Sequence, residues 1–100
     1  MPVIRMRIVW DERKGRQNLL KHKVSFERAA RVFADPAQMS VRDPHQGEER
    51  WRTLGLVDGV VILLVAHTTK EAEDGEEEEI RIISARKATR LERHAYEARR

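Results

Sequence analysis

Residues 79–100 read EIRIISARKATRLERHAYEARR, and the change of pattern inside them decides the fold. The first half alternates and branches like a strand, and the second half is charged and spaced like a helix. The switch falls at Ser84-Ala85-Arg86-Lys87, where two cations end an apolar strand. Upstream, VVILLVAHTT at 60–69 is the most apolar stretch and long enough for a central strand buried on both faces. RWRTLGLV at 50–57 is joined to it through Asp58-Gly59, a strong hairpin signal. AQMSV at 37–41 is the weakest strand pattern and suits a sheet edge.

Towards the N-terminus, MRIVW at 6–10 reads as a first strand. Asp11 offers an N-cap oxygen to a helix reaching about His22, with Leu19 and Leu20 as its narrow apolar edge and Gly15 as a weak point. Ser25 caps a second helix over 26–35, in which Phe26, Ala29, Ala30 and Phe33 form a stripe; Pro36 stops it. A last helix runs from about Thr89, with Leu91, Ala95 and Ala98 on its apolar side and Tyr96 close to it. The order is β-α-α-β-β-β-β-α in one domain over residues 1–100. The expected class is α+β, with helices packed on an antiparallel sheet.

The 100 residues are 40% hydrophobic and 37% charged, which suits one modest core. Cysteine is absent, so there is no disulfide frame and no thiolate zinc site, and the composition is compatible with the cytosol. No apolar run reaches the roughly 18 residues of a membrane span, and the N-terminus lacks the apolar core of a signal peptide. The net charge of +3 hides a segregation. Seven of the 17 acids sit in EAEDGEEEE at 71–79, so the rest of the chain sets 20 basic residues against 10 acidic ones. A body that basic suits a polyanionic partner; the plainer reading is a soluble surface with one acidic turn.

Three groups are candidates for chemistry. His67, after the apolar run, is either a core residue bonded to backbone or a general acid or base. His22, His45 and His94 are less constrained, and no histidine pair has metal-ligand spacing, so no metal or cofactor is expected. Glu49-Arg50-Trp51-Arg52 opens the middle strand. Alternation puts Glu49 and Trp51 on one face and the two arginines on the other. Glu49 is a candidate base, the arginines are phosphate ligands and Trp51 is a platform for an unpaired base; the alternative is a charged strand end. Arg81, Arg86 and Lys87 form the third group. In a regular strand Arg81 and Lys87 share a face and Arg86 takes the other. Arg86, at the strand-to-helix junction, suits bidentate phosphate binding, and the acidic loop is the structural partner available to Arg81.

WDERKGRQNLLKHKVSFERAARVF, then DP, GEERW, LVAHT and RIISARKATRLERHAYE, in that order, resemble the BrnT family of type II toxins over nearly the whole chain. The resemblance implies a fold similar to RelE-type ribonucleases, RNA cleavage and inhibition of translation in the cytoplasm. It also implies a BrnA-type antitoxin, a DNA-binding protein that carries the pair to operator DNA, and a heterotetramer of the two. Read onto that activity without a metal, His67 and Glu49 take acid and base roles. Arg50, Arg81 and Arg86 hold phosphate, Lys87 attracts RNA, Trp51 stacks, and Tyr96 orients the substrate or donates a proton. The alternative is a noncatalytic module that binds antitoxin or nucleic acid in autoregulation. Two positions depart from the family pattern: Lys23 stands where Gly is usual, and Arg28 stands where Glu would complete a capping box. The acidic loop is also longer than usual and, near the cations, would keep RNA out.

Overall fold

A computed structural model describes residues 5–44 and 47–99. His45 and Arg100, noted in the sequence, lie outside the described residues. The elements are β1 (Arg5–Val9), α1 (Glu12–His22), α2 (Phe26–Ala29), a 3-10 turn (Ala30–Ala34), β2 (Met39–Asp43), β3 (Arg50–Val57), β4 (Val61–Glu71), β5 (Glu77–Lys87) and α3 (Arg90–Ala98). They follow the expected order.

The five strands form one sheet in the order β1-β5-β4-β3-β2. β2 through β5 pair antiparallel, but β1 lies parallel to β5 with Ile8 opposite Ile80. The sheet is therefore mixed, which corrects the expectation of an antiparallel one. The helical connection out of β1 carries the chain to β2 at the far edge, and three successive antiparallel pairings then bring β5 back beside β1 in the parallel sense. β4 is central and β2 is an edge, as their sequences suggest.

One sheet face packs under α1, α2 and the 3-10 turn. Its core joins Val24, Phe26, Ala29, Val32 and Phe33 to Val57, Leu63, Val65, Ile80, Ile82 and Ala85. The opposite face packs a smaller cluster under α3, with Leu54, Ile62 and Leu64 against Ala88 and Tyr96. β4 thus feeds alternate residues to two cores, which is why its sequence is apolar without a break.

Local chemistry explains the elements. Asp11 accepts from the backbone of Arg13 (2.8 Å) and Lys14 (3.2 Å), and these two bonds hold its carboxyl below the ordinary range. Leu19 and Leu20 do not form the buried edge of α1; both are exposed. The inward side carries Gly15 and Asn18 instead. A side chain at Gly15 would meet Trp10 and Phe26 at 3.5–3.7 Å, and those two rings pack edge to face at 6.2 Å. Asn18 is buried and clamps α1 to β5: its amide donates to the carbonyls of Val24 and Ala85, and its oxygen accepts from Ala85 N–H.

The second helix is shorter than the sequence suggests. After Ala29 it tightens into the 3-10 turn, which brings Val32 and Phe33 both inward. Val32 then lies on Gly55 of β3, where a Cβ would fall 2.7 Å from its Cγ1 and 2.9 Å from its carbonyl oxygen. Only glycine fits that approach. Asp58 (φ 55°) and Gly59 (φ 68°) make the β3–β4 turn, where positive φ at both central residues matches strand twist. Arg31 donates to both carboxylate oxygens of Asp58 at 2.8 Å, and Arg28 lies 3.8 Å from it. Arg28 thus contributes to this turn in place of the capping box it interrupts.

Lys23 ends α1 in the left-handed region (φ 62°, ψ 27°), its N–H donating to Leu19. A side chain there costs about 1–2 kcal/mol relative to glycine. Lys23→Gly is expected to raise unfolding free energy by about 1 kcal/mol, measured as a higher denaturant midpoint at unchanged m-value. An unchanged or lower midpoint would contradict the strain.

Candidate functional site

The register of β4 and β5 sets which side chains share a face. Arg81 opposes Thr68 and Arg86 opposes Leu64, while Ser84 opposes Ala66 and Ile82 opposes His67. Ile83 is therefore an extra residue, a β-bulge at Ala66/His67. The bulge reverses the parity read from the sequence. Arg81 and Arg86 fall on the same face, that of Leu64 and α3, and Lys87, opposite Leu63, falls on the other.

β3 adds to the arginine face. Arg52 opposes Ala66, and Arg50, two residues earlier, shares its side. The face presents Arg50 and Arg52 from one flank of β4 and Arg81 and Arg86 from the other, over Ala66 and Thr68. β3 and β5 are separated by β4, so their backbones stand about 10 Å apart, within convergent reach of guanidinium side chains. Arg50 and Arg52 are half-buried, and the Nε atom of each is buried with no hydrogen-bond partner among the described residues. A buried donor without a partner is costly unless a ligand supplies the acceptor.

Arg86 is held in place. Its Nη1 and Nη2 donate to the two oxygens of Glu92 at 2.8 and 3.1 Å, and Nη1 also reaches Lys87 carbonyl oxygen at 3.2 Å. Glu92 completes a capping box at the start of α3, accepting from Thr89 N–H at 2.8 Å while Thr89 Oγ accepts from Glu92 N–H. The Arg86 guanidinium holds the Glu92 carboxyl down at about 2, and Glu92 in turn raises Arg86. The end of β5 and the start of α3 are thereby one rigid corner.

The remaining candidates lie elsewhere. His67 is on the helix-covered face, 4% exposed, opposite Trp51 and edge-on to Phe33 at 4.8 Å. Its Nε2 is 2.7 Å from Thr53 Oγ, which is 2.7 Å from Ser40 Oγ, and its Nδ1 is 3.4 Å from Thr69 Oγ. The expected pocket shared by His67 and the arginines is therefore not formed: a sheet of backbone separates them. Trp51 is on the His67 side, half-buried. Glu49 is exposed and pairs with Arg42 at 3.3 Å. Tyr96 is 1% exposed, and its hydroxyl donates to Asp35, whose carboxylate also accepts from Leu56 N–H (2.7 Å) and Ala37 N–H (2.9 Å). Tyr96 thus anchors α3 to the turn before β2 instead of facing a substrate. Among the described residues no group of three or more His, Asp or Glu side chains is placed to hold a metal ion.

Sequence reasoning gave Arg52 only a secondary place and overlooked Asp35 and Asn18. The basic-apolar alternation of RWRTLG does mark Arg52 as the companion of Arg50. Asp35 and Asn18 carry no local signal beyond a polar residue beside apolar ones, because the partners that tie them to the sheet, Leu56 and Ala85, are 21 and 67 residues away.

The acidic segment also has a defined place. Glu71 ends β4 and Glu77 begins β5, so the acids form the hairpin tip and its first rungs. Glu77 and Glu79 share the face of Arg81 by alternation, and Arg7 of β1 lies 4.0 Å from Glu77.

A mixed five-stranded sheet, helix-covered on one side and arginine-lined on the other, defines a small α+β domain with a cationic sheet face. The sequence model described as "Ribonuclease toxin, BrnT, of type II toxin-antitoxin system" matches residues 10–92, and the chain belongs to that family. Among solved structures, the 1.1 Å crystal structure of the Brucella abortus ribonuclease toxin BrnT is similar, with 27% identity and a TM-score of 0.61 over 85% of this chain and 99% of that one. No curated protein matches the sequence. No described helix is long and apolar enough to cross a membrane.

Burial lowers the pKa of His67 below its ordinary value, and a hydrogen bond to the Thr68 backbone opposes this only in part. In the unfolded chain the imidazole takes up a proton near pH 6.5. The neutral ring therefore favours the fold above that pH, and the advantage is lost as pH falls towards the lower folded value. Thermal melts from about pH 7.5 to pH 5 are expected to show a falling midpoint, with the slope flattened in His67→Gln. An equally steep slope in the variant would show that other groups cause it.

Proposed function

We propose that the chain is an endoribonuclease whose phosphate-binding surface is the α3-side sheet face. The observation that carries this reading is the set of four guanidinium groups on one face, two of them with buried, unbonded Nε atoms. Arg50, Arg52 and Arg81 hold and neutralise the scissile phosphate, with Arg86 fixed at the end of the row by Glu92. RNA carries its own nucleophile: the 2′-hydroxyl gives its proton to solvent water and attacks the adjacent phosphorus, the P–O5′ bond breaks to leave a 2′,3′-cyclic phosphate, and the departing 5′ oxygen takes a proton from water. The charge that develops on the phosphorane is what the arginines stabilise. This chemistry asks for no divalent ion.

His67 and Tyr96 act through the fold in this reading, Lys87 adds attraction from a neighbouring surface, and Glu49 and Trp51 contact RNA only at the open end of β3. Family membership implies an antitoxin partner. We take it to be of BrnA type, to form a heterotetramer of two copies each, and to bring operator DNA to the complex. Cleavage of messages or ribosomal RNA in the cytoplasm would arrest translation.

The test is cleavage of a mixed RNA substrate by the purified chain in excess chelator. Activity is expected to persist, to fall on the order of 10²-fold in Arg52→Ala and in Arg81→Ala, and to remain in folded His67→Gln. A requirement for divalent metal would overturn the mechanism. Full activity of both arginine variants would overturn the site, and RNA binding without cleavage would leave a noncatalytic module.

A further inference from the structure

The arginine face ends at a cleft that Arg52 alone of the row lines. It lies between β2, β3 and α3, is lined by Met39, Val41, Leu54, Leu64, Leu91 and Ala95, and has Arg52 and Glu92 in its lining as well. Its volume is about 260 Å³, the share of roughly nine waters at ~30 Å³ each. Those waters would find few partners, because the walls are almost wholly apolar. Leu91 is 83% exposed and Val41 44% exposed, so α3 and the edge strand hold apolar side chains over an uncovered space. Large apolar side chains kept in this way mark a binding site.

We propose that this cleft holds a nucleobase of the RNA whose phosphate lies on the arginine row; the inference rests on that reading of the row. Two observations select the occupant. The floor is one cross-strand row, Met39, Leu54 and Leu64, about 10 Å across the strands, which suits a flat ring system lying across it better than a segment running along them. Charge is also graded along the site. Arg52 belongs to both cleft and row, whereas the carboxylate in the lining, Glu92, is already neutralised by Arg86. A ligand that fits must therefore be anionic on the Arg52 side and uncharged and flat inside, which is the division between phosphate and base in a nucleotide. The aliphatic walls offer contact to a ring face with no pattern of donors, so the cleft contributes affinity and positions the sugar-phosphate more than it reads sequence.

The experiment compares two short 2′-deoxy oligonucleotides, which cannot undergo 2′-hydroxyl attack: one complete and one abasic with the same phosphates. Binding is measured to the intact chain, Ala95→Phe and Arg52→Ala. Ala95 is exposed on α3 and lines the cleft, and phenylalanine there occupies its apolar part while every arginine of the row is retained. The complete oligomer is expected to bind the intact chain about tenfold or more tightly than the abasic one. Ala95→Phe is expected to remove that difference while leaving the abasic affinity unchanged, and Arg52→Ala to weaken both. Equal binding of the two oligomers to the intact chain overturns the base site and leaves the arginine row standing. Abasic binding indifferent to Arg52→Ala overturns the row itself. No binding of either oligomer, or an Ala95→Phe chain that loses its antitoxin while keeping the base-dependent difference, assigns the cleft to something other than RNA.

Discussion

Ile83 is opposed by no residue of β4, and that single insertion determines which arginines can act together. In an unbroken strand, Arg81 and Arg86 are five residues apart and point to opposite sides. The bulge adds one residue to β5 between them and restores the shared face. The apolar side responds in step: Ile80 and Ile82 enter the large core before the bulge, and Ala85 enters it after. Were β5 regular, with Ile80, Arg81 and Ile82 kept in place, Arg86 would turn to the helix-covered face and Ala85 would leave the core and lose its paired bonds with Asn18, two strong penalties. The bulge is thus held from the helix-covered face, while its consequence appears on the open one.

The same distinction explains what could be read from the chain. Element order, the Asp58-Gly59 turn, the caps at Asp11 and Ser25, the central place of β4 and the edge place of β2 all follow from residues within a few positions of one another. The parallel pairing of β1 to β5 joins segments about 70 residues apart and has no local mark. The bulge had a faint one. The small or apolar residues Ile80, Ile82, Ile83 and Ala85 depart from period two at one place, and strict alternation applied across them assigned Arg86 and Lys87 to the wrong faces. The arginines of β3 needed no such correction, since RWRTLGLV alternates throughout.

Chemical type misled more than pattern. An imidazole and a phenol look like acids and bases in a sequence, but both are buried here with their polar atoms satisfied inside the fold. His67 sits in a line of hydroxyls from Ser40 through Thr53, and Tyr96 reaches the Asp35 carboxylate that also caps Leu56 N–H. Each fixes a layer: His67 under the 3-10 turn, Tyr96 under α3. A buried polar group with its bonds made specifies an arrangement, and removing one partner strands the other. The arginines show the converse. Guanidinium groups are ordinarily surface decoration, yet Arg50 and Arg52 have Nε atoms away from solvent and without a partner among the described residues.

The charge of the open face is divided along its length. Glu77 and Glu79 occupy the first rungs of β5, next to the hairpin tip, and Arg81 and Arg86 occupy the later ones. Arg7 lies 4.0 Å from Glu77 with both side chains well exposed, so that pair offsets little of the acid field. At physiological salt, fields decay over about 8 Å, so the two halves do not cancel across the sheet but act on whatever is nearest. A polyanion lying on this face is repelled at the hairpin end and drawn along the row towards Arg52, which shares the cleft with the corner made by β5 and α3. That corner is the best-fixed part of the surface, because Arg86, Glu92 and Thr89 are bonded in one ring of contacts. The acidic hairpin need not cover the arginines to limit access: it leaves only the α3 end of the row favourable, which is where the apolar cleft opens.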